Sequence, residues 1–216
     1  LYALQIGVQG RHTDASQRRP VNVTFVLDNS GSMSGQSIEL LKATCRAIAS
    51  SLQAGDRASM VTWNTDQSVV LDSLAVDGPN DAALLAAIEG LEAGGGTDLN
   101  AGLVSGYALA ASNYLDGGLN RVVLISDGGA NVGVTDEQII AEAAAGAEGR
   151  KIYMVGVGVG EGSYYNDLLM DTVTDLGKGA FADQAVEVHD RRQHDRVGHA
   201  VRDAVGRADP VGHGVR

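Results

Sequence analysis

Basic residues are scarce in this chain of 216: 16 Lys and Arg stand against 27 Asp and Glu, a net charge of −11. That balance argues against a nucleic-acid binder, because a polyanion needs a basic face. Cysteine is scarcer still. The single Cys45 excludes an internal disulfide and any cysteine-rich zinc site. No apolar run approaches the roughly 20 residues of a membrane span. No signal peptide is visible. The chain begins with Leu1 rather than Met, so it is expected to be a fragment whose N-terminal targeting segment is missing. What is present suffices for a core: hydrophobic residues make up 44% of the chain, too many for global disorder.

Strand and helix patterns alternate along the body of the chain. Residues 2–8 alternate apolar with small or polar side chains, the period of a half-buried strand. Val21 to Leu27 is β-branched and almost continuously apolar, as in a strand covered on both faces. Ile38, Leu41, Cys45, Ile48 and Leu52 recur at helical spacing. Arg57 to Trp63 predicts a strand, and Ser68 to Leu71 a short one after a turn. Leu84, Leu85, Ile88 and Leu91 mark a second helix, closed by Gly94-Gly95-Gly96. Leu99, Leu103, Tyr107, Ala110 and Tyr114 mark a third, in which Gly102 and Gly106 allow close approach to a sheet. Arg121 to Ser126 is another buried strand. Thr135 and Gln138 form a capping box that opens a helix through Ala147. Lys151 to Val159 is a strand, Leu168 to Leu176 a helix, and Ala180 to Asp183 a last strand. Strands joined through helices predict an α/β fold: a doubly wound, mainly parallel central sheet flanked by helices.

In such sheets ligands sit beyond the carboxyl ends of the strands, where the strand order reverses. Three segments meet that description: Asp28-Asn29-Ser30-Gly31-Ser32, Gly94-Gly95-Gly96-Thr97-Asp98, and Ser126-Asp127-Gly128-Gly129. Together they offer Asp28, Ser30, Ser32, Thr97 and Asp127, all oxygen donors. Hard divalent cations take such ligands, and Mg²⁺ keeps some of its waters. The carboxylates bind the ion directly or hold its waters. Asp28, Ser30 and Ser32 alternate along a turn, so their side chains converge. Gly31 is expected to remove a Cβ that would crowd the ion, and the triple glycine lets Thr97 approach or retreat.

These three elements, in this order and approximate spacing, resemble the von Willebrand factor type A (VWA) domain with its metal-ion-dependent adhesion site (MIDAS). The resemblance covers roughly Val21 to Asp183. It is nearer still to bacterial cell-envelope members, with their Ser-Gly-Ser-Met start, Gly-Gly-x-Thr loop and a segment like Gly162 to Asp167. It implies a Rossmann-like three-layer sandwich, a bound Mg²⁺ (with Mn²⁺ or Ca²⁺ as alternatives), and a protein partner that presents an Asp or Glu. It also implies a cell-envelope or extracellular location, and a β-rich region preceding the domain. Residues 1–20 are accordingly expected to belong to that region, 21–183 to the VWA domain, and 184–216 to an atypical tail. Asn29 departs from the apolar or small residue more usual at its position, and its side chain is expected to face away from the metal.

Other features have plainer readings. Gly156 to Gly162 looks like a dinucleotide loop, but it lies on a late strand with the wrong spacing. Cys45 belongs to an apolar helix stripe, Trp63 to packing, and Met33 to a lid over the core, since a thioether is too soft for Mg²⁺.

Three functions fit the site: a binding module that captures a partner carboxylate on the metal, a metal-dependent hydrolase, and a structural domain with a vacant site. The hydrolase is disfavoured. No histidine lies between His12 and His189, and none of the three loops carries a Lys or Arg to hold a phosphate. Asp98 is the one spare carboxylate, and it is expected to serve a helix N-terminus. The intact ligand set disfavours the vacant site.

The tail differs in kind. Residues 189–216 hold six Arg, four Asp and four of the five His. From Ala182 onward every residue is Ala, Asp, Gln, Val, Glu, His, Arg, Gly or Pro. Codons for all of these can begin with G or C. A frame slip in a GC-rich gene yields this vocabulary, and the genuine frame is expected to be lost shortly after Phe181. A natural biased tail is the alternative. Resequencing around the Phe181 codon is expected to reveal the slip; an unbroken frame there refutes it.

Overall fold

Val21–Asp28 forms the central strand β1, and all eight of its residues are buried. In the computed structural model, which describes residues 18–96, 98–127, 150–160 and 180–185, β1 lies between two parallel neighbours. These are β2 (Arg57–Trp63) and β4 (Leu119–Ser126). Beyond β2 runs β3 (Gln67–Ala75), antiparallel; beyond β4 run β5 (Tyr153–Gly160) and β6 (Ala180–Ala185), both parallel. The order is β3-β2-β1-β4-β5-β6. The chain therefore builds outward from β1 on one side and returns to build on the other, and the reversal falls beside β1. This is the α/β architecture expected from the sequence.

Side chains of a strand alternate between faces, so β1 serves two cores. Val23, Phe25 and Leu27 pack with Ile38, Leu41, Cys45 and Ile48 of α1 (Gln36–Ala49) and with Leu84 and Ile88 of α2 (Ala82–Glu89). Val26 faces the other way. It packs with Trp63, Val122 and Leu124, and with Leu103 and Tyr107 of α3 (Leu99–Ser112). Cys45 and Met33 are wholly buried in the first core, as expected of packing residues.

Two expectations need correction. β3 is longer than the four residues predicted, because as an edge strand it tolerates polar and exposed positions that break an apolar pattern. Ser73, at φ 51, donates its amide to Ser59 Oγ at 3.0 Å and carries the pairing past Asp72. α2 ends at Gly90 and not at the triple glycine, although Leu91 beyond it remains buried. The predicted strand at 2–8, the helices at 135–147 and 168–176, and residues 186–216 of the tail lie outside the described residues. Among the described residues, no helix is long and apolar enough to cross a membrane.

α3 lies close against the sheet because two glycines on one of its faces carry no side chain. A Cβ on Gly102 would stand 2.4 Å from Trp63 Cδ1, and one on Gly106 would stand 2.3 Å from Val26 Cγ2. Each neighbour is itself packed. Gly106→Ala is therefore expected to destabilise the domain by about 1–3 kcal/mol, the usual penalty of overpacking. Gly94→Ala, where a Cβ meets nothing within 4 Å, serves as the control. Urea unfolding of both variants checks the contrast; equal stabilities would show that α3 can rise from the sheet without loss.

Candidate metal centre

β1 delivers Asp28 to the carboxyl edge of the sheet with no exposed surface. Its Oδ1 accepts the Ser30 amide at 2.9 Å, and its Oδ2 accepts the Ser126 hydroxyl at 2.7 Å. Ser126 ends β4, whose register sets Ile125 beside Leu27, so the next residues along each strand stand side by side. Burial pushes the Asp28 carboxyl up to about 6 against the pull of these hydrogen bonds, and the negative charge of Asp127 adds to the rise. Asp127, one residue beyond β4, is itself nearly buried.

After Asp28 the chain makes one 3₁₀ turn, Gly31–Met33. The Met33 amide bonds the Ser30 carbonyl at 3.1 Å while the Met33 side chain sinks into the core. That anchor fixes the turn and brings the Ser30 and Ser32 hydroxyls within 3.0 Å of each other, Ser30 buried and Ser32 exposed. Gly31 has a reason in the fold itself. A Cβ there would meet the Gly95 carbonyl oxygen at 3.2 Å, so the glycine accommodates the neighbouring loop's backbone. Asn29 donates its side-chain amide to the Glu92 carbonyl at 3.1 Å, engaged with that loop. Asp98 caps α3 by accepting the Ala101 amide at 3.0 Å, the helix-terminal role expected of it.

The structure thus gathers Asp28, Ser30, Ser32 and Asp127 at one edge; Thr97 lies outside the described residues. Two further contributors escaped the sequence reading. Ser126 was visible only as the end of a strand, and its role depends on its register beside Asp28. The β2–β3 turn, Asn64 to Asp66, carries no apolar or charged pattern, yet it bonds to the chain on both sides of Thr97.

The donor set fits a hard divalent cation. Asp28 is held by a hydroxyl and an amide, both neutral, and faces a second carboxylate. A cation here would offset the burial and the repulsion that raise its pKa. Among the described residues no group of three or more His, Cys, Asp or Glu comes together, so the additional ligands available are hydroxyls.

Residues 22–193 match the von Willebrand factor type A domain. Among curated relatives, the uncharacterised protein YfbK of Escherichia coli is 29% identical over 180 residues, 83% of this chain and 31% of that protein. The chain thus spans less than a third of that bacterial relative's length. An aerotolerance-related membrane protein from Bacteroides fragilis superposes with a TM-score of 0.66 at 18% identity, covering 86% of this chain and 98% of the other. Proximal thread matrix protein 1 from the mussel byssus, with a zinc-occupied MIDAS motif, superposes with a TM-score of 0.62 at 17% identity, covering 85% and 46%. At these identities the two superpositions speak to the fold.

Proposed function

The chain belongs to the von Willebrand factor type A family, and from that membership we propose that it is a divalent-metal-dependent protein-binding module. It uses its MIDAS to capture an Asp or Glu of a partner protein. The observation that carries this reading is the buried Asp28 carboxylate, bonded to the Ser30 amide and the Ser126 hydroxyl and repelled by the charge of Asp127, beside the Ser30 and Ser32 hydroxyls 3.0 Å apart.

Asp28, Ser30, Ser32, Thr97 and Asp127 would hold the ion, with Mg²⁺ favoured and Mn²⁺ or Ca²⁺ as alternatives. The ion supplies positive charge with an open position, for which a partner carboxylate is the matching ligand. The chain's own residues supply rigidity. Ser126 and the Ser30 amide fix the Asp28 carboxylate, and Met33 holds the serine turn in place. Neutral hydroxyls leave the ion charge to offer. The zinc in the mussel protein's MIDAS adds that ion to those worth titrating.

A binding role is preferred to hydrolysis because the segments 28–32, 94–98 and 126–129 contain no His, Lys or Arg, and Asp98 is committed to its helix. A cell-envelope or extracellular setting belongs to the same proposal. It draws on the resemblance to envelope members and on the shared fold with a Bacteroides membrane protein.

Replacing Ser30 and Ser32 together by Ala is expected to abolish Mg²⁺ binding and leave the melting transition intact, since Met33 still anchors the turn and Asp28 keeps the Ser30 amide and the Ser126 hydroxyl as donors. Isothermal titration decides it: unchanged Mg²⁺ affinity in the double variant sinks the site. Thr97→Ala is expected to weaken partner binding more than metal binding. A pull-down from the envelope fraction, with Mg²⁺ and with a chelator, supplies the partner for that comparison, and equal losses would argue against a switching role for Thr97.

A further inference from the structure

The glycine loop that leads to Thr97 is fastened on two sides. Toward the serine turn, the Gly94 amide donates to the Asn29 carbonyl at 2.8 Å, and the Gly31 amide donates to the Gly95 carbonyl at 3.1 Å. Toward the β2–β3 turn, the Gly96 amide donates to Thr65 Oγ1 at 2.7 Å, and the Asp98 amide donates to the Asn64 carbonyl at 2.8 Å. The two amides held by the turn flank a single residue, Thr97.

Loop and turn are also in close contact. A Cβ on Gly95 would lie 3.1 Å from Thr65 Oγ1 and 3.2 Å from Asn64 Cγ, and one on Gly96 would lie 3.1 Å from the same hydroxyl. The turn is closed in itself by the Asp66 amide on Asn64 Oδ1 at 3.1 Å and by the Asn64 amide on the Asp66 carbonyl at 3.0 Å. Trp63, immediately before it, is wholly buried. The turn is thus a firm base with a hydroxyl aimed at the loop. Thr65 itself is exposed and belongs to neither apolar cluster. An exposed hydrogen bond of this kind contributes little to global folding, so the contact's effect is local.

We propose that Thr65 is a positioning residue of the metal centre: by accepting the Gly96 amide it holds the glycine loop that precedes the expected ligand Thr97 in the sequence. The proposal rests on the metal-binding reading above. It adds a fourth segment, the β2–β3 turn, to the three that supply ligands.

The test is a Mn²⁺ titration of the full chain and its variants, each with a thermal melt. Thr65→Val keeps the shape of the side chain and removes the acceptor. It is expected to bind Mn²⁺ about tenfold more weakly, the lower end of what loss of an outer support costs a metal site, with its melting transition unmoved. Thr65→Ser restores the acceptor and is expected to restore wild-type affinity. Thr65→Val combined with Thr97→Ala is expected to bind no worse than Thr97→Ala alone, because both changes act on one loop. Wild-type affinity in Thr65→Val, or losses that add in the combined variant, overturns the proposal. Retained Mn²⁺ binding in the Ser30→Ala, Ser32→Ala protein fells the metal-site reading itself, and this role of Thr65 with it.

Discussion

A carboxylate held out of water at the end of the central strand is the constraint around which the rest is arranged. Asp28 has no solvent exposure, and its burial raises the energy of its charged form enough to move its pKa to about 6. Buried charge persists only where donors or counter-ions meet it. Each oxygen has its donor, the Ser30 amide on one side and the Ser126 hydroxyl on the other. Those donors come from the loop after β1 and from the end of β4. Satisfying Asp28 therefore requires that the turn after β1 be formed and that β4 be in register. The same arithmetic leaves a deficit, because neither donor is charged and Asp127 repels. A buried carboxylate met only by neutral donors, with a second carboxylate beside it, is what supports the proposal of a cation at this edge.

The close seating of α3 serves the same edge. Gly102 lets the helix rest on Trp63, and Gly106 lets it rest on Val26, the residue two before Asp28 on the same face of β1. That contact sets the height of the helix N-terminus. Asp98 caps it, and the Asp98 amide bonds back to the β2–β3 turn. Core packing and loop geometry are therefore continuous: the glycines that bring α3 down also bring Asp98 to the turn that follows β2.

Most of the fold was legible because buried parallel strands write themselves as β-branched runs. Val21 to Leu27, Arg57 to Trp63 and Arg121 to Ser126 needed no tertiary information. β3 was underestimated because an edge strand is selected by pairing on one side only, and Asp72 and Ser73 look like a stop. The triple glycine looked like a helix terminator. It is instead a loop hydrogen-bonded to the serine turn, with Gly95 and Gly96 set close against the Thr65 and Asn64 side chains, and proximity of that kind leaves no local pattern. Asp28, Ser30, Ser32 and Asp127 were legible because strand-end oxygen donors are conspicuous. Ser126 and Thr65 were not. One acts through register across a long stretch of chain and the other through a single hydroxyl on a turn of ordinary composition.

The pairings of β1 carry a consequence for the order in which the molecule is made. Its neighbours come from distant parts of the chain: Asn22 pairs with Arg57 on one side, and Val21 with Leu119 on the other. The hydrogen bond from Ser126 to Asp28 spans 98 residues. Contacts of such separation must overcome the loop-closure entropy of the intervening chain. A nascent chain that has reached the end of α3 contains the residues of the serine turn and the glycine loop but not Ser126 or Asp127. The oxygens come together only when β4 docks, so an ion bound at this edge, as proposed, would report that the sheet has closed around its first strand.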